Sequence, residues 1–231
     1  MPTAADFLDD LDKLKSEKEL EKLSKYFKGD DGTTVALGVK FGDIFKLAEK
    51  YWEMPSNEIN KLLDDPHYEV RMGAVSIMDF QAKNKKTSPE RKKELFDLYL
   101  RRHDRLNNWD FVDRGAYNII GEYLLDEPKD ILYELAKSDV PWKRRTAIVA
   151  TYAFIKKGQV DETFKIAELL VNDDNEYINK AVGSWIREAG KKDVNKLLLF
   201  LDKYAGTMPR VTLRYAIEKL NLKQKEKYLS K

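Results

Sequence analysis

The chain has 231 residues, of which 42% are hydrophobic and 35% are charged, and its formal net charge is only +2. This hydrophobic content predicts a folded protein and excludes an intrinsically disordered one. The sequence contains no cysteine and only two histidines. That composition excludes disulfides, a thiolate nucleophile and a Cys-ligated zinc, fits the reducing cytoplasm, and leaves any catalysis to carboxylates, Arg, Lys or Tyr.

Apolar residues recur at intervals of three and four from residues 7–14 onward, and this spacing predicts helices throughout the chain. The N-terminal segment mixes acidic with apolar residues, which predicts that no signal peptide or membrane span is present. Ser56 and the Ser88–Pro89 pair mark helix starts. A weak alternation near Val35 fits either a short strand or a loop, and the GDDG segment at residues 29–32 predicts a turn. The predicted fold class is therefore all-α.

The helices are predicted to come in pairs, and a small residue recurs in the second helix of each pair. Alanine occupies positions 74, 116, 147, 181 and 216, at separations of 42, 31, 34 and 35 residues. Intervals of this size are typical of an α-solenoid, in which each helical hairpin buries its apolar face against its neighbours. We therefore expect one HEAT-like repeat domain of antiparallel helix pairs over residues 1–231, with the alanines allowing close helix packing.

Basic residues are concentrated on the predicted second helices, whereas the first helices are acidic or mixed. The second-helix cations are Arg71, Arg114, Lys143, Arg144, Arg145, Lys180, Arg187, Arg210 and Arg214. Because the second helices of a solenoid line one face, this segregation predicts a basic concave surface that suits a polyanion such as DNA or RNA. The alternative is that these cations pair with carboxylates of neighbouring hairpins.

One segment, residues 105–117, departs from the repeat pattern. Trp109 stands at the predicted mouth of a helix, and Asp113 follows four residues later on the same helix face. The next second helix begins PWKRRTA, which would bring Arg144 or Arg145 beside these two side chains. The pattern predicts either a site built from an aromatic ring, a carboxylate and a guanidinium, or a packed Trp next to an ordinary ion pair.

The segments NNWDFVDRGA, PWKRRTAIV, KAVGSWIREAG and MPRVTLRYAIEKL together resemble the DNA alkylation repair (AlkD-like) family of HEAT-like DNA glycosylases, over residues 20–228. The resemblance implies that Asp113 is the catalytic carboxylate and Trp109 the site tryptophan. It also implies that Arg145 contacts a phosphate and that Tyr26 lies near the DNA.

One position departs from the family pattern. Where the family commonly has Trp directly after KA(V/I)G, this chain has Ser184, and Trp185 follows one position later. A shift of one residue turns a side chain by about 100° on a helix. We therefore expect Trp185 in the core and a site that lacks one of its two indole walls.

The resemblance implies hydrolysis of the N-glycosidic bond of cationic N3- or N7-alkylated purines, as in base excision repair, by a protein that grips the duplex backbone and leaves the lesion stacked. The sequence contains neither a cluster of metal ligands nor a phosphate-cradling Gly loop, so it implies no metal and no organic cofactor, and we expect a monomer. Two other functions stay open from the sequence. One is a DNA-structure binder without catalysis on the same scaffold, and the other is a protein-binding repeat scaffold.

Overall fold

The computed structural model describes residues 1–26 and 34–230, and for residues 24–26 it describes the backbone alone. The turn predicted at residues 29–32 therefore lies outside the described residues, as does the side chain of Tyr26. Within the described ranges the regular structure is helical, and the segment near Val35 forms a single isolated bridge to His67. The all-α prediction is confirmed. None of the helices in these ranges is both long enough and apolar enough to cross a membrane.

The chain divides into two compact units, Met1–Asn107 and Asn108–Lys231, which we call the N-terminal and C-terminal units. One continuous solenoid over residues 1–231 stays a prediction. The helices of the N-terminal unit are α1 (Ala4–Asp12), α2 (Glu17–Tyr26), α3 (Phe41–Lys50), α4 (Ser56–Asp64), α5 (Tyr68–Lys83) and α6 (Pro89–Arg101), followed by a 3-10 turn at His103–Arg105.

A buried carboxylate fixes the loop that precedes α3 in the N-terminal unit. Glu69 is fully buried, and its side chain accepts hydrogen bonds from the backbone N–H groups of Leu37, Gly38 and Val39. Gly38 has a φ of +86°, a conformation that glycine adopts without steric cost. A carboxylate bound by several N–H donors satisfies backbone groups that would otherwise be buried without partners.

The C-terminal unit contains the segment that sequence analysis singled out. Its helices are α7 (Trp109–Gly115), a π-helix (Ala116–Gly121), a 3-10 turn (Tyr123–Leu125), α8 (Asp130–Ala136), α9 (Pro141–Ala150), α10 (Tyr152–Lys156), α11 (Asp161–Leu170), α12 (Glu176–Gly190), α13 (Val194–Tyr204), α14 (Arg210–Ala216) and α15 (Leu222–Leu229). Helices α8 and α9 form one antiparallel pair and α11 and α12 the next.

The second helices of the C-terminal unit pack side by side, with α9 between α7 and α12, and α12 between α9 and α14. We call this set, together with the π-helix and α10, the second-helix layer. Its four repeat alanines are all buried, at positions 116, 147, 181 and 216. Two glycines bring helices closer still. A Cβ at Gly121 would collide with the Ala150 carbonyl, and one at Gly183 would come within 2.5 Å of the Thr212 carbonyl. Small residues therefore set the spacing of this layer.

Candidate functional site

Trp109 and Asp113 lie one turn apart on α7. The helix begins at Trp109 because the side-chain oxygen of Asn108 accepts a hydrogen bond from the Trp109 backbone N–H, at 2.8 Å. Trp109 is half-buried, and 31% of the Asp113 side chain is exposed to solvent. The chain then leaves α-helical geometry and continues directly as the π-helix Ala116–Gly121. Interruptions of this kind occur frequently at functional sites.

Arg145, on α9, binds Asp113 through both carboxylate oxygens. Its Nε donates to Oδ1 at 2.9 Å and its Nη2 donates to Oδ2 at 2.8 Å, which is the paired geometry that guanidinium and carboxylate favour. The Nη1 atom donates to the backbone carbonyl of Tyr177, at the start of α12. Arg145 is only 6% exposed. One guanidinium therefore links three neighbouring helices of the second-helix layer.

The Trp109 ring completes this arrangement. The guanidinium carbon of Arg145 lies 5.9 Å from the centre of the Trp109 ring, within the range of a cation–π interaction. The structure thus brings together Trp109, Asp113 and Arg145, the three residues that the sequence placed at one site. We call them the α7–α9 site.

Arg144, the alternative partner considered for Asp113, is placed elsewhere. Its Nε and Nη2 atoms donate to the two carboxylate oxygens of Asp173, at 2.6 and 3.0 Å, and its Nη1 atom donates to the carbonyls of Ser138 and Asp139. The hydrogen bonds to Asp173 raise the pKa of Arg144. Because these bonds tie two turns of the unit together, the structure gives Arg144 a role in packing.

The α7–α9 site keeps hydrogen-bonding capacity on both of its charged groups. A guanidinium has five N–H donors, and Arg145 uses three of them on Asp113 and Tyr177. A carboxylate has about four lone-pair positions, and Asp113 gives two of them to Arg145. The site can therefore accept a water or a positive centre at Asp113 and offer N–H groups to an anion at Arg145.

Ser184 and Trp185 lie on α12, and their side chains have different surroundings. The Trp185 indole Nε1 donates to the Val149 carbonyl at 3.0 Å, and its ring meets the edge of Tyr152 at a centroid distance of 6.1 Å. Trp185 also packs against the buried cluster Ile155, Val160 and Ala189. The structure therefore packs this half-buried indole against the interior of the unit. Ser184 is half-buried and presents no aromatic ring.

Arg71, predicted to contact DNA, is placed inside the N-terminal unit. It is 4% exposed, and its Nη1 donates to the Arg105 carbonyl at 3.1 Å and to the Asn107 side chain at 2.8 Å. The prediction of a surface cation is corrected here, because Arg71 lies on the side of α5 that faces the interior. Its hydrogen bonds hold the loop that follows α6.

The remaining predicted cations differ in what they contact. Lys180 pairs with Glu176 at 2.6 Å, which raises the pKa of Lys180, and Arg187 pairs with Glu218. These two agree with the alternative of ion pairing to neighbouring carboxylates. Arg210 donates to the Leu229 carbonyl at 2.9 Å and is otherwise exposed. Arg114 and Lys143 are half-buried and Arg214 is exposed. Their predicted contacts with DNA stay predictions.

One feature beside the site was not predicted. Tyr177 supplies the carbonyl that binds Arg145, its side chain is 45% exposed, and its ring lies 5.6 Å from that of Trp142. A pattern in the sequence could have indicated Tyr177. Three successive second helices begin with an aromatic residue at their first or second position, namely Trp109, Trp142 and Tyr177. Among the described residues, no cluster of His, Cys, Asp or Glu has the size needed to hold a metal ion.

Solved structures with a similar fold include two that cover most of this chain. The first is a predicted DNA alkylation repair enzyme from Enterococcus faecalis, with a TM-score of 0.71, 16% identity, and coverage of 90% of this chain and 97% of that one. The second is AlkD2 from Streptococcus mutans, with a TM-score of 0.56, 20% identity, and coverage of 94% of this chain and 97% of that one. At these identities the likeness shows the fold alone.

No curated protein matches the sequence. The family model described as "DNA alkylation repair enzyme" matches residues 7–220, which include the whole α7–α9 site. The chain therefore belongs to the DNA alkylation repair enzyme family.

Proposed function

We propose that the protein is a DNA glycosylase that hydrolyses the N-glycosidic bond of cationic N3- or N7-alkylated purines in duplex DNA. The observation that carries the proposal is the α7–α9 site, in which Asp113 is fixed through both oxygens and still 31% exposed, beside a half-buried Trp109. Membership of a DNA alkylation repair family supplies the substrate class.

The proposed reaction needs little general-acid catalysis from the protein. A purine alkylated at N3 or N7 carries a positive charge, so it leaves with the electron pair of the glycosidic bond as a neutral base. Positive charge then develops on the deoxyribose, and a fixed carboxylate nearby stabilises that charge. Water adds to C1′ and loses a proton, which Asp113 accepts directly or passes on. The products are the free base and an abasic site.

Arg145 and Trp109 would prepare the site for this step. By holding both oxygens of Asp113, Arg145 fixes the carboxylate before the substrate arrives, and its remaining N–H groups can donate to a backbone phosphate. The electron-rich face of Trp109 attracts a cation, which is the charge that appears on the sugar. Because Arg145 is only 6% exposed and is paired with Asp113, a phosphate can reach only a small part of its guanidinium.

A second candidate is a protein of this family that binds DNA without removing a base. Two observations favour it. Position 184 offers a serine hydroxyl in place of an indole, and the neighbouring Trp185 indole is held by the Val149 carbonyl. In this case the second-helix layer would bind the backbone and Asp113 would serve only to hold Arg145.

Release of 7-methylguanine and 3-methyladenine from methylated duplex DNA tests the proposal. Asp113→Asn keeps the shape of the side chain and removes its charge, and we expect base release to fall by about a hundredfold or more. Asp174→Asn is the matched control, because that side chain is 98% exposed and lies in the same unit. Thermal unfolding of both variants shows whether they are folded.

The outcomes separate the two candidates. Equal base release by the wild type, Asp113→Asn and Asp174→Asn would overturn the catalytic role of Asp113. A wild type that binds DNA with an affinity falling steeply with salt, and releases no base, would select the second candidate.

A further inference from the structure

Lysines collect at the ends of the second helices that lie opposite the α7–α9 site. Helix α10 ends at Lys156, with Lys157 as its C-cap, and α12 is followed by Lys191 and Lys192. All four residues are exposed. The site and its Tyr177 carbonyl lie at the other end of the same two helical segments, near the starts of α9 and α12.

These two helix ends are neighbours within the C-terminal unit. Ile155, Val160 and Ala189 form one buried cluster, so the last turn of α10 packs against the last turn of α12. Lys156 directly follows Ile155 in the chain, and Lys192 comes three residues after Ala189. The packing therefore brings the two lysine-bearing turns together on one edge of the second-helix layer.

Three of the four lysines stand without a carboxylate. Lys191 pairs with Glu188 at 2.6 Å, whereas Lys156, Lys157 and Lys192 form no ion pair with any residue that the structure describes. Two first helices of the same unit, α11 and α13, are different. On α11 and α13 three lysines pair with acidic residues: Lys165 with Glu162, Lys196 with Asp161 and Lys203 with Glu168. A cation near a helix C-terminus is stabilised by the helix dipole, but this does not account for a cluster of three.

The distance along the second helices, from Arg145 and Lys180 to the lysines at the far ends, suits a DNA duplex. Thr151 keeps α-helical backbone angles between α9 and α10, so the eleven residue steps from Arg145 to Lys156 span about 16 Å. The twelve residue steps from Lys180 to Lys192 span about 18 Å. The major groove of B-DNA is about 12 Å wide. The difference is within the reach of a flexible lysine side chain.

We infer that Lys156, Lys157 and Lys192 bind backbone phosphates of the DNA strand opposite the one that Arg145 contacts. This inference rests on the proposed function for its ligand, duplex DNA. One end of the second-helix layer then contacts the phosphates on one side of a groove, and the other end contacts the phosphates on the opposite side. The bases between them need no contact with the protein.

A triple variant, Lys156→Gln, Lys157→Gln and Lys192→Gln, tests this contact. Its control is the triple variant Lys137→Gln, Lys165→Gln and Lys203→Gln, on the first helices, which lowers the net charge by the same three units. Binding of an undamaged duplex is measured by fluorescence anisotropy over a series of salt concentrations. Three lost phosphate contacts lower the log–log salt slope by about 2.7 and raise Kd by about tenfold or more near 0.1 M salt.

The strand assignment is tested with neutral methylphosphonate linkages. Placed on the strand opposite a lesion, they should weaken binding by the wild type and leave the test variant unchanged, while on the lesion strand they should weaken both. A test variant with the salt slope of its control, or one still sensitive to opposite-strand linkages, would overturn the inference. These experiments measure binding and not base release. They therefore test the inference even if the protein binds DNA without glycosylase activity.

Discussion

Arg145→Lys is the substitution that most directly probes the α7–α9 site. The variant keeps the positive charge but loses the planar fork that reaches both oxygens of Asp113 and the carbonyl of Tyr177. A lysine ammonium is a point donor on a flexible stem, so it can hold about one of these three acceptors well. Two hydrogen bonds are therefore lost.

The cost in stability follows from the burial of the partners. Hydrogen bonds to charged groups contribute about 1.5–3 kcal/mol each, so two of them set an upper limit of about 6 kcal/mol. Asp113 is 31% exposed, so water replaces part of what it loses. We expect the free energy of unfolding to fall by about 2–4 kcal/mol. The rate of base release should fall by more than the decrease in folded protein accounts for, because the carboxylate is no longer held in one orientation.

Arg144→Lys is the control for this experiment. It breaks the same kind of fork one residue earlier, and because the Asp173 side chain is only 5% exposed, we expect a loss of stability at least as large. Urea unfolding gives the stabilities, and single-turnover base release is measured where both variants are folded. If Arg144→Lys lost as much base release as Arg145→Lys, the reasoning that separates a site arginine from a packing arginine would be refuted.

Two further predictions concern stability. Gly183→Ala places a methyl group 2.5 Å from the Thr212 carbonyl, so α12 and α14 must separate, and urea unfolding should show a loss of about 1–3 kcal/mol; an unchanged midpoint would contradict the close packing. Burial raises the pKa of Glu162, but hydrogen bonds from Lys165 and Tyr133 more than offset this, and the net pKa is lowered. The resulting stability is present at neutral pH and is lost as the pH falls below about 4.5. Glu162→Gln should therefore flatten the acid limb of a stability–pH profile, and an identical limb would contradict the assignment.

Local spacing was enough to predict two of the three residues of the site. Trp109 and Asp113 share a helix face because they are four residues apart, and that relation depends only on helix geometry. The choice between Arg144 and Arg145 could not be made in the same way. Adjacent residues on a helix point about 100° apart, and which of them meets Asp113 depends on how α9 is rotated against α7. Asp173 binds the other arginine and so helps to fix that rotation.

The charge pattern was a weaker guide to which cations are accessible to a ligand. Sorting residues by helix says which element carries a cation, but not which side of the helix it lies on. Arg71 is on a second helix and yet faces the interior, where its hydrogen bonds to the Arg105 carbonyl and Asn107 stabilise a loop. Conversely, Lys156 and Lys192 lie at helix ends. The charge pattern was based on cations within the second helices, so it did not select these two lysines. Burial and packing are needed to separate a structural cation from an available one.

The lack of an indole at position 184 should affect the rate of base release more than the type of reaction. Tyr177 lies on the same face of α12, but seven residues before Ser184, and two helical turns correspond to about 10.5 Å, too far for one ring to replace the other. A cation–π contact contributes about 0.5–2 kcal/mol, whereas a preorganised electrostatic group aimed at developing charge contributes about 2.7–4 kcal/mol. Loss of one wall would therefore slow base release by about tenfold, while loss of the Asp113 charge would remove most of it. Asp113, held by Arg145 and reachable from solvent, is the residue on which the proposed activity depends.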